Sequence, residues 1–199
     1  MASLALSGVV ATLLGAVGCA TLHVAPPEVQ LAARRTTVLR ARVAVSLAGP
    51  RGRARATVLL ACSRPGALRL EVPGPGGARL IVVTQGGQLT ALFPSERAVF
   101  TGRAAASDVE AVLGVALEPD EIMDLLLGTP AARLRETRVD WGPRFPRRVH
   151  TRLDEGTTLH LRLAAVEAPD ALPPDVFAPP PHVGYRAIDA REARELGGR

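Results

Sequence analysis

Apolar and polar residues alternate along most of this chain, and the period changes only in the middle. Over residues 38–47, Leu39, Ala41, Val43, Val45 and Leu47 fall on one side and Arg40 and Arg42 on the other. That is the period-two pattern of a strand with one buried face. Gly49-Pro50-Arg51-Gly52 reads as a turn, after which Ala54, Ala56, Val58, Leu60 and Cys62 oppose Arg53, Arg55 and Thr57. Leu68, Leu70 and Val72 alternate with Arg69 and Glu71, and Pro73–Gly77 reads as a mobile loop. Leu80–Thr84, a tight turn at Gly86-Gly87, and Leu89–Phe93 extend an antiparallel meander. Strands resume at 133–141, then Phe145, Val149 and Thr151 alternate with Arg148, His150 and Arg152. After Asp154-Glu155-Gly156, Leu159, Leu161 and Leu163 oppose Thr158, His160 and Arg162, and a last strand is expected near Val183–Ile188.

Three stretches read as helical, and the polar end of the chain as a frayed helix. Glu28–Arg35 follows Pro27, a residue suited to a helix start. Ser107-Asp108-Val109-Glu110 has the spacing of a capping box, and Val109, Val112, Leu113 and Ala116 then share one face. A further helix begins near Pro119 with Asp120 and Glu121 in its first turn. It continues through Ile122, Met123, Leu125, Leu126 and Leu127 to Gly128. The last two helices offer a broad apolar face that must be covered.

The N-terminal residues 2–22 carry no charge, and Leu4–Val17 has the length of an export signal's apolar region. The segment closes in Leu13-Leu14-Gly15-Ala16-Val17-Gly18-Cys19-Ala20. This resembles the lipobox of bacterial lipoprotein precursors, although Ala16 stands where the family prefers Leu and no Lys or Arg precedes the apolar run. The resemblance implies cleavage after Gly18 and lipidation of Cys19, giving a membrane anchor. The competing reading is an uncleaved anchor, since residues 2–22 are just long enough to span a bilayer.

Order and spacing beyond the tether resemble the LolA/LolB-like half-barrel carriers and receptors of outer-membrane lipoprotein sorting. The matching pieces are Arg64-Pro65-Gly66-Ala67-Leu68-Arg69-Leu70-Glu71, Gly74-Pro75-Gly76-Gly77, Leu113–Leu117 with Ile122–Gly128, and Leu172-Pro173 through Phe177. The expected fold is therefore α+β, a strongly curved antiparallel half-barrel sheet wrapped around two or three short helices. The expected organisation is a signal peptide at 1–18, a lipidated tether at 19–27, the half-barrel at 28–188 and a polar tail at 189–199. The resemblance implies a hydrophobic cavity for acyl chains. On the alternation, its wall would be Val43, Val45, Val58, Leu60, Leu70, Leu80, Leu89, Phe93, Leu159 and Leu161. Its lid would be Val109, Val112, Leu113, Ile122, Leu125 and Leu126. A closed core of the same residues is the alternative. The family's outer-membrane receptor presents a protruding Leu where this chain has Gly76, which has no side chain to insert.

Composition narrows the function further. The chain has 199 residues, 47% of them hydrophobic, enough for one domain with a core. The net charge of +5 comes entirely from Arg, which is dispersed, and aromatics are 3%, too few to stack bases. No nucleic-acid partner is expected. Arg40, Arg42, Arg53 and Arg55 read as an outer face, either solvated or docking to anionic lipid or a partner. Cys62, left without a disulfide partner once Cys19 is lipidated, reads as a buried inert thiol. His23, His150, His160 and His182 show no metal-ligand spacing, and no serine sits in a nucleophile motif. No catalytic residue, metal or cofactor is expected. Two functions stand: an envelope lipoprotein binding lipid or lipoprotein acyl chains, or a non-transporting lipoprotein that engages an envelope protein partner. Ala20 after Cys19, rather than Asp, points to the outer membrane, facing the periplasm.

Overall fold

The computed structural model describes residues 24–50, 52–130, 134–153 and 156–198. Gly18 and Cys19, on which the lipidation expectation rests, lie outside the described residues. Helix α1 spans Pro27–Arg34. A meander follows: β1 Val38–Gly49, β2 Gly52–Ser63, β3 Ala67–Gly74, β4 Gly77–Gln85, β5 Gln88–Phe93 and β6 Ala98–Arg103. Helices α2 (Ala106–Leu113) and α3 (Pro119–Leu126) come next. The chain ends with β7 Arg135–Trp141, β8 Pro146–Arg152, β9 Thr158–Glu167, the two-residue β10 Arg186–Ala187 and α4 Ala190–Gly197.

All ten strands belong to one sheet, ordered β10-β6-β5-β4-β3-β2-β1-β9-β8-β7. Every pairing is antiparallel except β10 with β6. β1 joins the two halves of the chain, pairing with β2 on one side and β9 on the other. Register carries the alternation across the sheet. Val43 faces Val58 and Leu163, Leu60 faces Leu70, Leu70 faces Val82, and Val82 faces Ala91. These side chains form one continuous apolar face against which α2 and α3 bury Val109, Val112, Met123, Leu125 and Leu126. The fold is the expected α+β half-barrel.

Four local features depart from the sequence pattern. β6 lay in a stretch for which the alternation gave no strand. It follows a one-turn 3-10 helix at Pro94–Glu96 and a left-handed Arg97, φ 47°. Pro73–Gly77 is no mobile loop: β3 runs to Gly74 and β4 starts at Gly77, with Gly76 at φ 80° making the tight reversal. The capping box expected at Ser107–Glu110 does not form. The N-cap is Ala105, without a side-chain bond, and the Asp108 carboxylate instead accepts from the Arg103 backbone N–H at 2.7 Å. Such a box does occur at α3, where Glu118 and Glu121 reciprocate. Finally, the polar end from residue 189 is a packed helix, α4, whose N-cap Asp189 accepts from Glu192 N–H and whose Ala193 is buried against α2.

Helix α3 is tied to the sheet by polar contacts as well as apolar ones. Arg64 after β2 forms an ion pair with Asp124, and the Gly66 N–H donates to the Asp120 carboxylate at 2.9 Å. α1 packs separately, with Ala33 and Ala25 against the buried Trp141 of β7. Among the described residues, no helix is long and apolar enough to cross a membrane.

Candidate functional site

Between the concave face of the sheet and helices α2 and α3 lies a cavity of about 330 Å³. Its walls are Val43, Val45 and Leu47 of β1, Val58 and Leu60 of β2, Leu70 and Val72 of β3, Leu80 of β4, and Leu159 and Leu161 of β9. Val112 and Leu113 of α2 and Ile122, Leu125 and Leu126 of α3 close the other side, with Val115 and Leu117 between them. The residues expected at the cavity are all brought together here except Leu89, Phe93 and Val109. Those three are buried in the contiguous core but do not border the cavity. Leu89 and Phe93 belong to β5, which lies beyond β4 and away from the opening.

Strand register explains why a space exists in an otherwise filled core. β2 pairs with β3 only from Leu59 to Ser63, opposite Glu71 to Ala67. Below that point Arg53–Val58 pair with β1 alone and Val72–Gly74 with β4 alone. The two strands part there, and the cavity is bordered by residues from both sides of the gap. Inward side chains at this end are short or half-exposed: Ala54, Ala56, Val45 and Leu47. The fully buried Leu39, Cys62 and Leu68 fill the opposite end.

The mouth is basic. Arg53, Arg55 and Arg79 border an otherwise apolar space. The alternation assigned Arg53 and Arg55 to the outer face. They reach the cavity because the end of the β1–β2 hairpin stands clear of β3, so both of its faces are near the opening. Arg79, next to Leu80 at the start of β4, was not singled out by sequence reasoning; only the tertiary structure brings it to the same cavity as Arg53 and Arg55. α4 also reaches the site through Gly197 and Gly198. Its contribution was unreadable because a polar tail carries no cavity signal until it is seen to pack.

Chemically, the site is suited to partitioning of a hydrocarbon with a polar or anionic end. Among the described residues no three His, Cys, Asp or Glu side chains come together as a metal site. Cys62 lies at the filled end, and burial, reinforced by the nearby Asp120 charge and only partly offset by Arg64, pushes its thiol well above the ordinary range.

No protein-family model and no curated protein matches this chain. Solved structures to which this chain is similar include a LolA superfamily protein from Nitrosomonas europaea. That protein is 11% identical, with 76% of this chain and 96% of that one covered, at a TM-score of 0.45. An outer membrane lipoprotein-sorting protein domain from Vibrio parahaemolyticus is 8% identical, with 76% and 93% covered and a TM-score of 0.41. A conserved protein from Thermus thermophilus is 10% identical, with 81% and 96% covered and a TM-score of 0.44. At these values the likeness is one of general shape.

Proposed function

We propose that this protein is a cell-envelope lipoprotein, tethered through lipid on Cys19, that holds acyl chains of lipid or lipoprotein cargo in the cavity between its sheet and helices. The observation that carries the reading is the cavity itself. It is an apolar space of about 330 Å³ opening where β2 and β3 part, with arginines at its mouth. Burial of hydrocarbon there would contribute about 0.8 kcal/mol per methylene, while a few polar groups at the rim would orient the headgroup. The tether would keep the site at the membrane that supplies or receives the cargo, and the outer membrane facing the periplasm is the location this reading assigns.

Native mass spectrometry of the full chain, extracted in mild detergent and exchanged into volatile buffer, tests the cargo. Co-purified lipid masses and displacement by a fluorescent fatty acid are expected. Leu60→Trp, which fills the cavity, is expected to lower that fatty acid's affinity about tenfold, with a modest stability cost of about 1–3 kcal/mol. A protein that arrives empty and ignores the fatty acid overturns the carrier reading, and recovery of a stoichiometric protein partner instead favours the interaction-module role. Intact mass tests the anchor separately: mature protein that still begins at Met1 overturns lipidation at Cys19.

A further inference from the structure

A second groove, of about 950 Å³, lies on the opposite, outer face of the sheet, where β2, β1, β9, β8 and β7 run side by side. Register sets two rows of side chains across it. One row is Arg55, Ser46, His160, His150 and Arg138; the other is Thr57, Ala44, Arg162, Arg148 and Asp140. Ala44 and Ser46 are short, so the groove is low over β1, beside the long side chains of His160 and Arg162 on β9.

On β8 and β9 the rows make a compact square. Arg148 stands opposite Arg162, and His150 opposite His160. Facing pairs have Cβ atoms about 5 Å apart, and next-but-one residues along a strand are about 7 Å apart. The two imidazoles stack with ring centres 4.1 Å apart and planes 10° from parallel. Like charges placed directly opposite one another destabilise a sheet. Here a guanidinium pair sits beside an imidazole pair, and Asp140 is the one carboxylate among the groove-lining residues. Among the described residues neither Arg148 nor Arg162 makes an ion pair. Such an arrangement loses its self-repulsion when a multivalent anion sits on it.

We propose that Arg148, His150, His160 and Arg162 form a binding site for a phosphate monoester. Two guanidinium forks match the oxygen geometry of a phosphate, and the imidazoles supply further N–H donors once protonated. Arg55 and Arg138, at the ends of the same row, are about four strand spacings apart, roughly 19 Å, and flank whatever the phosphate carries. Arg148, His150, His160 and Arg162 do not border the acyl cavity, although Arg55 borders both spaces, and the site does not depend on the cavity being a carrier.

The charges around the imidazoles give the site a pH signature. His150 is held below its ordinary range by partial burial first, then by His160, Arg138 and Arg152, with Glu136 acting the other way. A bound dianion reverses the effect of those cations and moves the His150 titration upward. Affinity rises as pH falls into the range where imidazolium and the phosphate dianion coexist.

Titration of the full chain in zwitterionic micelles with inorganic phosphate, followed through histidine NMR signals, tests the site. Saturable shifts at His150 and His160 are expected, with His150 titrating at higher pH in phosphate than in chloride of equal ionic strength. Arg148→Ala and Arg162→Ala should each weaken phosphate binding about tenfold, while Arg40→Ala, elsewhere on the outer face, should not. An identical response to chloride, or full binding by the Arg148→Ala, Arg162→Ala double variant, overturns the proposal. Vesicles of phosphatidylcholine with and without phosphatidic acid identify the source. Sedimentation that needs phosphatidic acid and yields to free phosphate assigns a lipid headgroup. Saturable phosphate binding without sedimentation assigns a soluble phosphate compound.

Discussion

Cys62 shows how one residue's chemistry follows from its position on a strand. It faces Leu39 and Leu68 across β1 and β3 and is fully enclosed, so the thiolate that alylating reagents require is suppressed. Native protein at pH 8 should react with iodoacetamide at Cys62 at least about 100-fold more slowly than denatured protein; comparable rates would contradict the burial. His150 makes a different prediction. Its folded pKa lies below the ordinary value, so the unfolded chain takes up that proton more readily. The stability it contributes is present above the ordinary histidine value of about 6.5 and is lost as pH falls from there through the lower folded value. Thermal melts from pH 8 to pH 5 should show a fall in Tm that is smaller in His150→Gln, and equal slopes would remove His150 as the cause.

Among the elements, the helices are placed by close contacts. α4 approaches α2 so tightly that a Cβ on Gly197 would collide with the Val112 carbonyl oxygen, a backbone atom that cannot swing aside. Gly197→Ala should therefore push α4 off α2 at a cost of about 1–3 kcal/mol. The accompanying loss of amide-exchange protection should be confined to residues 190–197; unchanged protection there would show that the contact is slack. α3 is held from below by Leu125, which is buried at 1% exposure beside the cavity. Leu125→Ala should cost about 2–5 kcal/mol in denaturant unfolding. The smaller values apply if the existing cavity lets neighbours relax. Asp124 and Asp120 add specificity of placement, because they bind the turn after β2 instead of any group on α3 itself.

At the scale of the whole molecule, β1 is the seam. It pairs with β2, its neighbour in the chain, and with β9, which arrives only after both helices have been laid down. A chain ended at Pro130 would leave the β1 edge bare and the apolar residues beside β9 unpaired, so its heat or urea unfolding should lose cooperativity. A sharp two-state transition in that fragment would mean that the first six strands form a domain alone. The sheet edges are short or charged. β10 has two residues and β7 carries Arg135 and Arg138, both of which discourage pairing between molecules.

Local pattern determined a large part of this protein. The alternation at 38–47, 53–62 and 159–163 fixed which residues face inward, because a strand has only two faces and one of them must be dry. The apolar stripes of 109–113 and 122–127 fixed which helix faces meet that sheet. Most of the cavity lining was therefore legible from the chain. What the pattern could not contain was where facing strands part. β2 leaves β3 beyond Leu59, and this separation, a property of two strands together, turns an inner wall into an open cavity and brings Arg53 and Arg55 to its mouth. The square of Arg148, His150, His160 and Arg162 was hidden for the same reason. Each residue reads as a solvated strand position, and only the register of β8 against β9 sets like charge opposite like.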